Sequence, residues 1–427
     1  MNFFPFEGCK LNYVISFSFV RGGAAIAAAK FKSLLDEFSN QETIELSQDL
    51  AGWVQFLKRL LSFGLVKLQF DNDRTKHSLN LFSYAPVLDS FKKSGSLHHI
   101  HWINNDTLSV CDFDKIPSGS IVILHDEWLY CGTEHYYKVS DASDDFINGY
   151  SFFKLGVWGV PWNAIIWHIK LKKLGKRNDL IYTVPSRWML IRAQSSMMLK
   201  YADIRILPNP IDTDVFSPKD TKSRVLFKQK YELEETDFIF CYRAMGGQSS
   251  YLKGSLVLEK SLEILRSLLE PKISSKIKFV VFGGKHIGSF DTCGFTSHLI
   301  GHISDPCELA KVYSASDCVV VSSLVESFGQ VAAEALSCET PVISFACSGL
   351  LDIVINGHTG LTAEPYCPED LAGKLKEMVM LTIEQRSQLG VHGREHVCKH
   401  FSYSVIAEKY KKIIDDAYQL KIKKDLS

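Results

Sequence analysis

The stretch Val325-Glu326-Ser327-Phe328-Gly329-Gln330-Val331-Ala332-Ala333-Glu334-Ala335-Leu336 sets two carboxylates eight residues apart. A glycine lies near the first, and small apolar residues precede the second. An ionised carboxylate only accepts hydrogen bonds, so each is suited to hold hydroxyl groups. The apolar run DCVVVSS leads into the stretch, and a helix is expected to begin near Ser327 or Phe328. The first N–H groups of a helix have no partner within it, and its dipole is positive there, so a diphosphate can rest against that end. Gly329 is expected to let a ligand approach the backbone. By the rise of an α-helix, Glu334 would lie roughly 12 Å beyond Glu326. Two acceptors at that separation suit a ligand with a diol at each end and a charged middle. The plain alternative is a solvated helix glutamate, but Ala332, Ala333, Ala335 and Leu336 leave little polar face around Glu334.

Other residues invite chemistry more weakly. His125 ends the apolar run SIVILHD; a lone histidine is more often structural than functional. His101 in HIHWI and His135 in GTEHYY read as structural or acceptor-facing. Gly22 and Gly23 follow the first apolar strand and open an alanine-rich helix. They lack the full G-x-G-x-x-G pattern, so dinucleotide binding is a weak reading. No metal cluster appears, and Asp212-Thr213-Asp214 falls in a domain junction rather than after a strand. The stretch IIWHIKLKKLGKR (165–177) carries Lys170, Lys172, Lys173, Lys176 and Arg177 beside Ile and Trp. It reads either as a solvated helix face or as peripheral contact with an anionic membrane.

These residues need a scaffold. Continuous apolar strands alternating with helices imply parallel sheets covered on both faces, an α/β class. In the first half the strands are read at 13–20, 97–103, 120–126, 179–186 and 204–210, with 141–150 as a loop. The composition shifts at LPNPIDTDVFSPKDTK, which suggests a domain junction. The alternation then restarts, giving a second doubly wound domain. Ligands bind such sheets at the carboxyl ends of the strands, so the loops after the strands are where chemistry is expected.

Composition sets limits. The 427 residues allow two or three domains, and the zero formal net charge carries no nucleic-acid signature. The 11 cysteines are scattered without a C-x-x-C pair, which reads as reduced thiols in a cytoplasmic protein. The first residues lack signal-peptide organisation, and no apolar run approaches ~20 residues, so no membrane span is expected.

The stretch from Glu326 to Glu334 matches the E-x7-E motif of retaining GT-B glycosyltransferases of the family 4, group 1 type. PNPIDTDVFSP resembles the junction of that family. CETPVISFACSGLLDIVINGHTGLTAEPYCPEDLA resembles its following block, RGGAA its N-terminal glycine loop, and HDEW the H-D-x-W loop of surface-polysaccharide enzymes (capsule and O-antigen type). The resemblance implies two Rossmann-like domains facing across a cleft. The first, 1–210, would take the acceptor, with the C-terminal helix 405–427 packing back on it; the second, 211–404, would bind the nucleotide sugar. Carried over, Glu334 holds ribose hydroxyls and Glu326 the transferred sugar, with Ser327 and the amides of Phe328, Gly329 and Gln330 around sugar and diphosphate. Arg243 and Lys253 offset charge on the leaving diphosphate, Gly301, His302 and Ile303 face the base, Gly22 and Gly23 approach the donor, and His125 contacts its sugar. The loop between Arg243 and Lys253 is longer than is usual in the family. The implied reaction is metal- and cofactor-independent transfer, with retention, from a UDP- or GDP-linked sugar to a glycan or lipid-linked glycan. The rival readings are an epimerase or phosphorylase on the same scaffold, or a non-catalytic accessory subunit.

Overall fold

The computed structural model describes residues 11–39, 41–71, 75–137, 144–244, 249–284 and 286–425. Residues 245–248 of the loop after Arg243, 141–143 of the expected loop at 141–150, and the last two residues of the C-terminal helix at 405–427 lie outside them. The chain divides into two compact units, Met1–Asn209 with Ile406–Ser427, and Pro210–Val405.

The first unit contains β1 (Leu11–Ile15), β2 (Glu42–Leu46), β3 (Gln69–Phe70), β4 (Ser96–Ile100), β5 (Ile121–Ile123), β6 (Trp158–Gly159), β7 (Ile181–Val184) and β8 (Asp203–Ile206). Six of these form a parallel sheet in the order β2-β1-β4-β5-β7-β8, and β3 pairs antiparallel with β6. Every residue of β4, β5 and β7 is buried, because helices cover both faces of the sheet. In the helix Gly23–Phe38, Ala25, Ala27 and Ala28 are buried. The final helix, Tyr403–Asp425, supplies Tyr410, whose hydroxyl lies 2.6 Å from His99 Nδ1, and Tyr418, whose hydroxyl donates to Gln41 Oε1 at 2.6 Å.

The second unit contains β9 (Phe238–Arg243), β10 (Ile277–Phe282), β11 (Ile287–Thr292), β12 (Phe295–Gly301), β13 (Cys318–Val321), β14 (Val342–Phe345) and β15 (Gly360–Ala363). Their order is β11-β12-β10-β9-β13-β14-β15, parallel except for the antiparallel edge strand β11. Apolar clusters fill both faces.

Three local expectations are corrected. The first strand stops at Ile15 rather than Val20, because the chain leaves the sheet in a loop: Phe17 N–H donates to Trp102 O at 2.8 Å and Gln48 N–H to Phe17 O at 3.0 Å. Part of the polar stretch 141–150 is a short helix, Asp145–Asn148. The largest correction concerns 165–177. Lys170 in the helix Trp162–Leu174 is wholly buried; its ammonium donates to Trp128 O and Gly132 O and lies 4.1 Å from the Trp128 ring centroid. Burial pulls its pKa down to about 7. Lys173 pairs with Asp114, and Arg177 with Asp179 and the carbonyls of Phe113 and Ile116. Of the five cations at Lys170–Arg177 read either as a solvated face or as membrane contact, Lys170 is thus unable to reach a membrane surface, and Lys173 and Arg177 are paired within the protein.

Candidate functional site

Strands β9 and β13 lie side by side and parallel, so the loops that follow them leave the sheet at the same end. That adjacency brings Lys253 to Glu326. Leu324 N–H donates to Leu252 O at 2.8 Å, and Ser322 Oγ donates to Lys253 O at 3.1 Å. Gly254 makes the approach feasible. It has φ +69°, and a Cβ there would fall 2.0 Å from Ser322 O. With the loops clamped, the Lys253 ammonium forms an ion pair with Glu326 Oε1, and Ser323 Oγ donates to the same oxygen at 2.8 Å. Glu326 is partly buried and Lys253 more open.

A second loop fixes the glutamate from behind. Glu326 N–H donates to Ser348 Oγ at 2.9 Å, and Gly349 N–H to Glu326 O at 2.8 Å. A Cβ at Gly349 would meet Ser327 O at 2.4 Å. Ser348 itself holds φ +54°, a left-handed conformation uncommon for a residue with a side chain. Reading along the chain missed Ser323, Ser348 and Gly349. The signal for Ser348 and Gly349 was the small-residue sequence ACSGLLD, whose contact with Glu326 is tertiary; Ser323 closes the run DCVVVSS, three residues before Glu326.

The helix does not begin at Ser327 or Phe328. It spans Gln330–Ser337, with Gly329 as the residue before it at φ +111°. The reason is packing. Phe328 is buried edge-on against Phe401, and a Cβ at Gly329 would lie 2.8 Å from Leu350 Cδ2. Gly329 is thus required by the turn and by Leu350. The first intrahelical bond runs from Ala333 N–H to Gly329 O, so the N–H groups of Gln330, Val331 and Ala332 have no partner within the helix. Glu334 sits one turn inside, about 6 Å along by helical rise, so the 12 Å helical ruler does not apply. Glu334 is 7% exposed, and Gln330 Nε2 donates to its Oε1 at 2.7 Å.

Arg243 ends β9. Its stem lies over Gly283, where a Cβ would be 3.2 Å from Arg243 Cγ, and Gly283 N–H donates to Gly301 O at 2.7 Å. Arg243 and Glu334 both act on the buried Tyr313 ring. Burial first, then the Glu334 carboxylate, push the Tyr313 hydroxyl well above its ordinary pKa, while Arg243 pulls it down. Gly301 is buried at the end of β12. His302 and Ile303 beyond it line a cavity of about 460 Å³ with Phe227, Tyr231 and Lys311.

In the first unit, His125 follows β5 and His101 follows β4; their rings stack, with His101 Nδ1 3.0 Å from His125 Nε2. Burial lowers His125 to about 4, and burial, with the neighbouring His125, lowers His101 well below its ordinary value, so both are neutral near pH 7. Asp126 Oδ2 accepts from His135 Nδ1 at 2.6 Å and from Trp102 Nε1 at 2.8 Å, and His135 Nε2 lies 2.9 Å from Ser78 Oγ. Burial would raise the Asp126 carboxyl, but the His135 ring and these hydrogen bonds bring it below its usual range. His101, His125 and His135 thus belong to one polar group, a proximity their sequence separation concealed. Gly22, at φ +97°, precedes the helix Gly23–Phe38, and nothing lies within 4 Å of a Cβ built on either glycine. Among the described residues no group of three or more His, Cys, Asp or Glu is set to hold a metal ion.

Comparison with known proteins bears on the second unit first. Residues 247–396 match the model of glycosyl transferases group 1. That stretch is similar to a group 1 glycosyltransferase domain. It carries Lys253, Glu326 and Glu334, while Arg243 lies just before it. The chain is 28% identical over 232 residues to the D-inositol 3-phosphate glycosyltransferase of Stackebrandtia nassauensis, covering 51% of this chain and 49% of the relative. The chain thus spans about half the length of the curated relatives it matches. Solved structures match across both units. Sucrose-phosphate synthase from Thermosynechococcus elongatus superposes with a TM-score of 0.63 at 17% identity, over 96% of this chain and 99% of that one. Anabaena HepE in complex with UDP and glucose gives 0.60 at 13%, over 95% and 99%. At such identities the likeness concerns the fold, which is GT-B: two Rossmann-like α/β units, the second containing the stretch that matches the group 1 model.

Proposed function

We propose that the protein is a glycosyltransferase that moves a sugar from a nucleoside diphosphate to a hydroxyl of a glycan or lipid-linked glycan. The observation that carries this reading is the Lys253–Glu326 pair, clamped between two loops beside the amino end of the helix that buries Glu334. A diphosphate laid against Gln330–Ala332 would draw the Lys253 ammonium from Glu326. That exchange frees the carboxylate for a sugar hydroxyl, while Lys253 and Arg243 meet the charge that develops on the leaving group. Glu334, held by Gln330, takes the ribose diol. The histidine group of the first unit is neutral near pH 7, so His125 can accept or donate to a sugar hydroxyl without an ionic cost. Fixed cations take the role a metal would have, and no resident cofactor is required.

Retention of anomeric configuration, with the departing phosphate taking the acceptor proton, completes the proposal, as does a cytoplasmic place in surface-polysaccharide assembly. HepE was solved with UDP and glucose, which favours a UDP-linked donor. The relatives named for D-inositol 3-phosphate favour a compact polar acceptor as the first to try. The test begins with a panel of nucleotide sugars scored by thermal stabilisation, since a ligand bound only by the folded state raises Tm. The stabilising donor is then used in turnover assays, with the product anomer read by NMR. Glu326→Gln should lower kcat by about two orders of magnitude or more while Tm of the free protein stays near wild type. Wild-type protein that neither binds nor turns over any sugar nucleotide would return the chain to the accessory class.

A further inference from the structure

The helix Trp53–Val66 is built inside out. Its buried residues are the polar Gln55 and Ser62, both turned toward Asp106. Gln55 Nε2 donates to Asp106 O at 2.7 Å, and Ser62 Oγ to Asp106 Oδ1 at 2.9 Å. The opposite face carries Trp53, Val54, Leu57, Leu60, Leu61 and Phe63, between 45% and 69% exposed. At 100° per residue Gln55 and Ser62 lie within about 20° of each other, and those six fall on the far half of the wheel. The apolar surface continues beyond the helix. Phe70 on β3 pairs with Trp158 on β6, and both are exposed. This two-stranded ladder is tied to the helix's end by Trp162 Nε1 donating to Leu65 O at 2.7 Å. Contiguous exposed apolar surface of this kind marks an interaction site rather than ordinary surface.

Charge identifies the occupant. From Ala51 to Phe70 there is no Asp or Glu, but there are Lys58, Arg59 and Lys67. Lys58 and Arg59 fall on the two borders of the apolar arc by helical angle. The Arg59 guanidinium lies 5.6 Å from the Phe17 ring centroid, and Lys67 Nζ lies 4.4 Å from that of Phe63. Both charge centres thus lie against aromatic rings beside the apolar face, a pairing that suits a boundary between hydrocarbon and anionic headgroups. A second copy of the chain is a poorer partner, because a twofold contact would oppose like-charged borders.

We infer that this face, the helix Trp53–Val66 with the Phe70/Trp158 strand pair, docks on an anionic lipid bilayer. Apolar side chains enter the headgroup boundary, and Lys58, Arg59 and Lys67 meet lipid phosphates. The full-length protein should co-sediment with vesicles containing phosphatidylglycerol and much less with phosphatidylcholine alone. Leu57→Glu with Leu61→Glu should abolish sedimentation with both. Lys58→Gln with Lys67→Gln should weaken binding to the anionic vesicles by about tenfold or more, given the usual worth of a basic residue near such a surface. Lys172→Gln with Lys176→Gln should leave it unchanged. All these positions are on the surface, so melting temperatures should match wild type and separate lost binding from lost fold. Absence of wild-type binding, or binding indifferent to the leucine pair, would overturn the inference. So would a dimer in sedimentation velocity that the leucine pair dissociates while vesicles capture nothing, since the face would then belong to a second copy.

Discussion

Two helices of the first unit look alike on paper and differ in how they are used. Trp53–Val66 and Trp162–Leu174 each mix large apolar residues with lysine, and only the second reads as a basic patch. In the fold the second turns its cation inward, and Lys170 serves two backbone carbonyls. The first turns its amide and hydroxyl inward and leaves its apolar face outside. What lies beneath decides the matter. The loop at Trp128–Gly132 presents carbonyl oxygens that need a donor, and Asp106 presents a carboxylate and a carbonyl that need donors too. A buried acceptor without a partner costs more than an exposed leucine, so each helix rotates to satisfy the acceptor below it.

The comparison breaks if the buried lysine proves dispensable. Lys170→Met removes the donor to both carbonyls and should cost about 3 kcal/mol, read as a lowered denaturant midpoint. Its pH dependence sharpens the point. The folded pKa of about 7 lies below the unfolded one, so between them the unfolded chain binds more protons. Lys170 therefore makes stability rise as pH goes from about 7 towards 10, and below about 7 its full penalty is present. The difference between wild type and Lys170→Met should shift with pH in that sense, and a flat difference would deny the burial. A smaller effect is expected at the other helix. Ser62→Ala should cost about 1 kcal/mol, because Asp106 loses one of its donors. Smallest of all, Leu57→Ser should stay within about 0.5 kcal/mol, as surface changes usually do. A large loss there would mean the apolar face is covered within the folded protein.

The α/β class was legible because buried parallel strands must be continuously apolar, as CVVV and VISF are. Strand ends were less legible. HHIHWI stops pairing at Ile100, where His101 N–H turns to Ile15 O. Around the candidate site, the apolar neighbours of Glu334 signalled its burial. Nothing near Lys253 signalled Glu326, which is 73 positions away. Their pairing depends on β9 lying beside β13 and on two glycines, 254 and 349, that let backbones meet.

The sequence by itself determined the alternation of strand and helix, because local apolar periodicity sets which segments must be buried. Tertiary structure alone decided that Gly329 ends a turn against Leu350, that Lys170 is a core residue and that the Trp53–Val66 helix faces outward. Each of those outcomes is set by which backbone oxygen or side chain waits on the other side of the contact, and residues distant in the chain supply it.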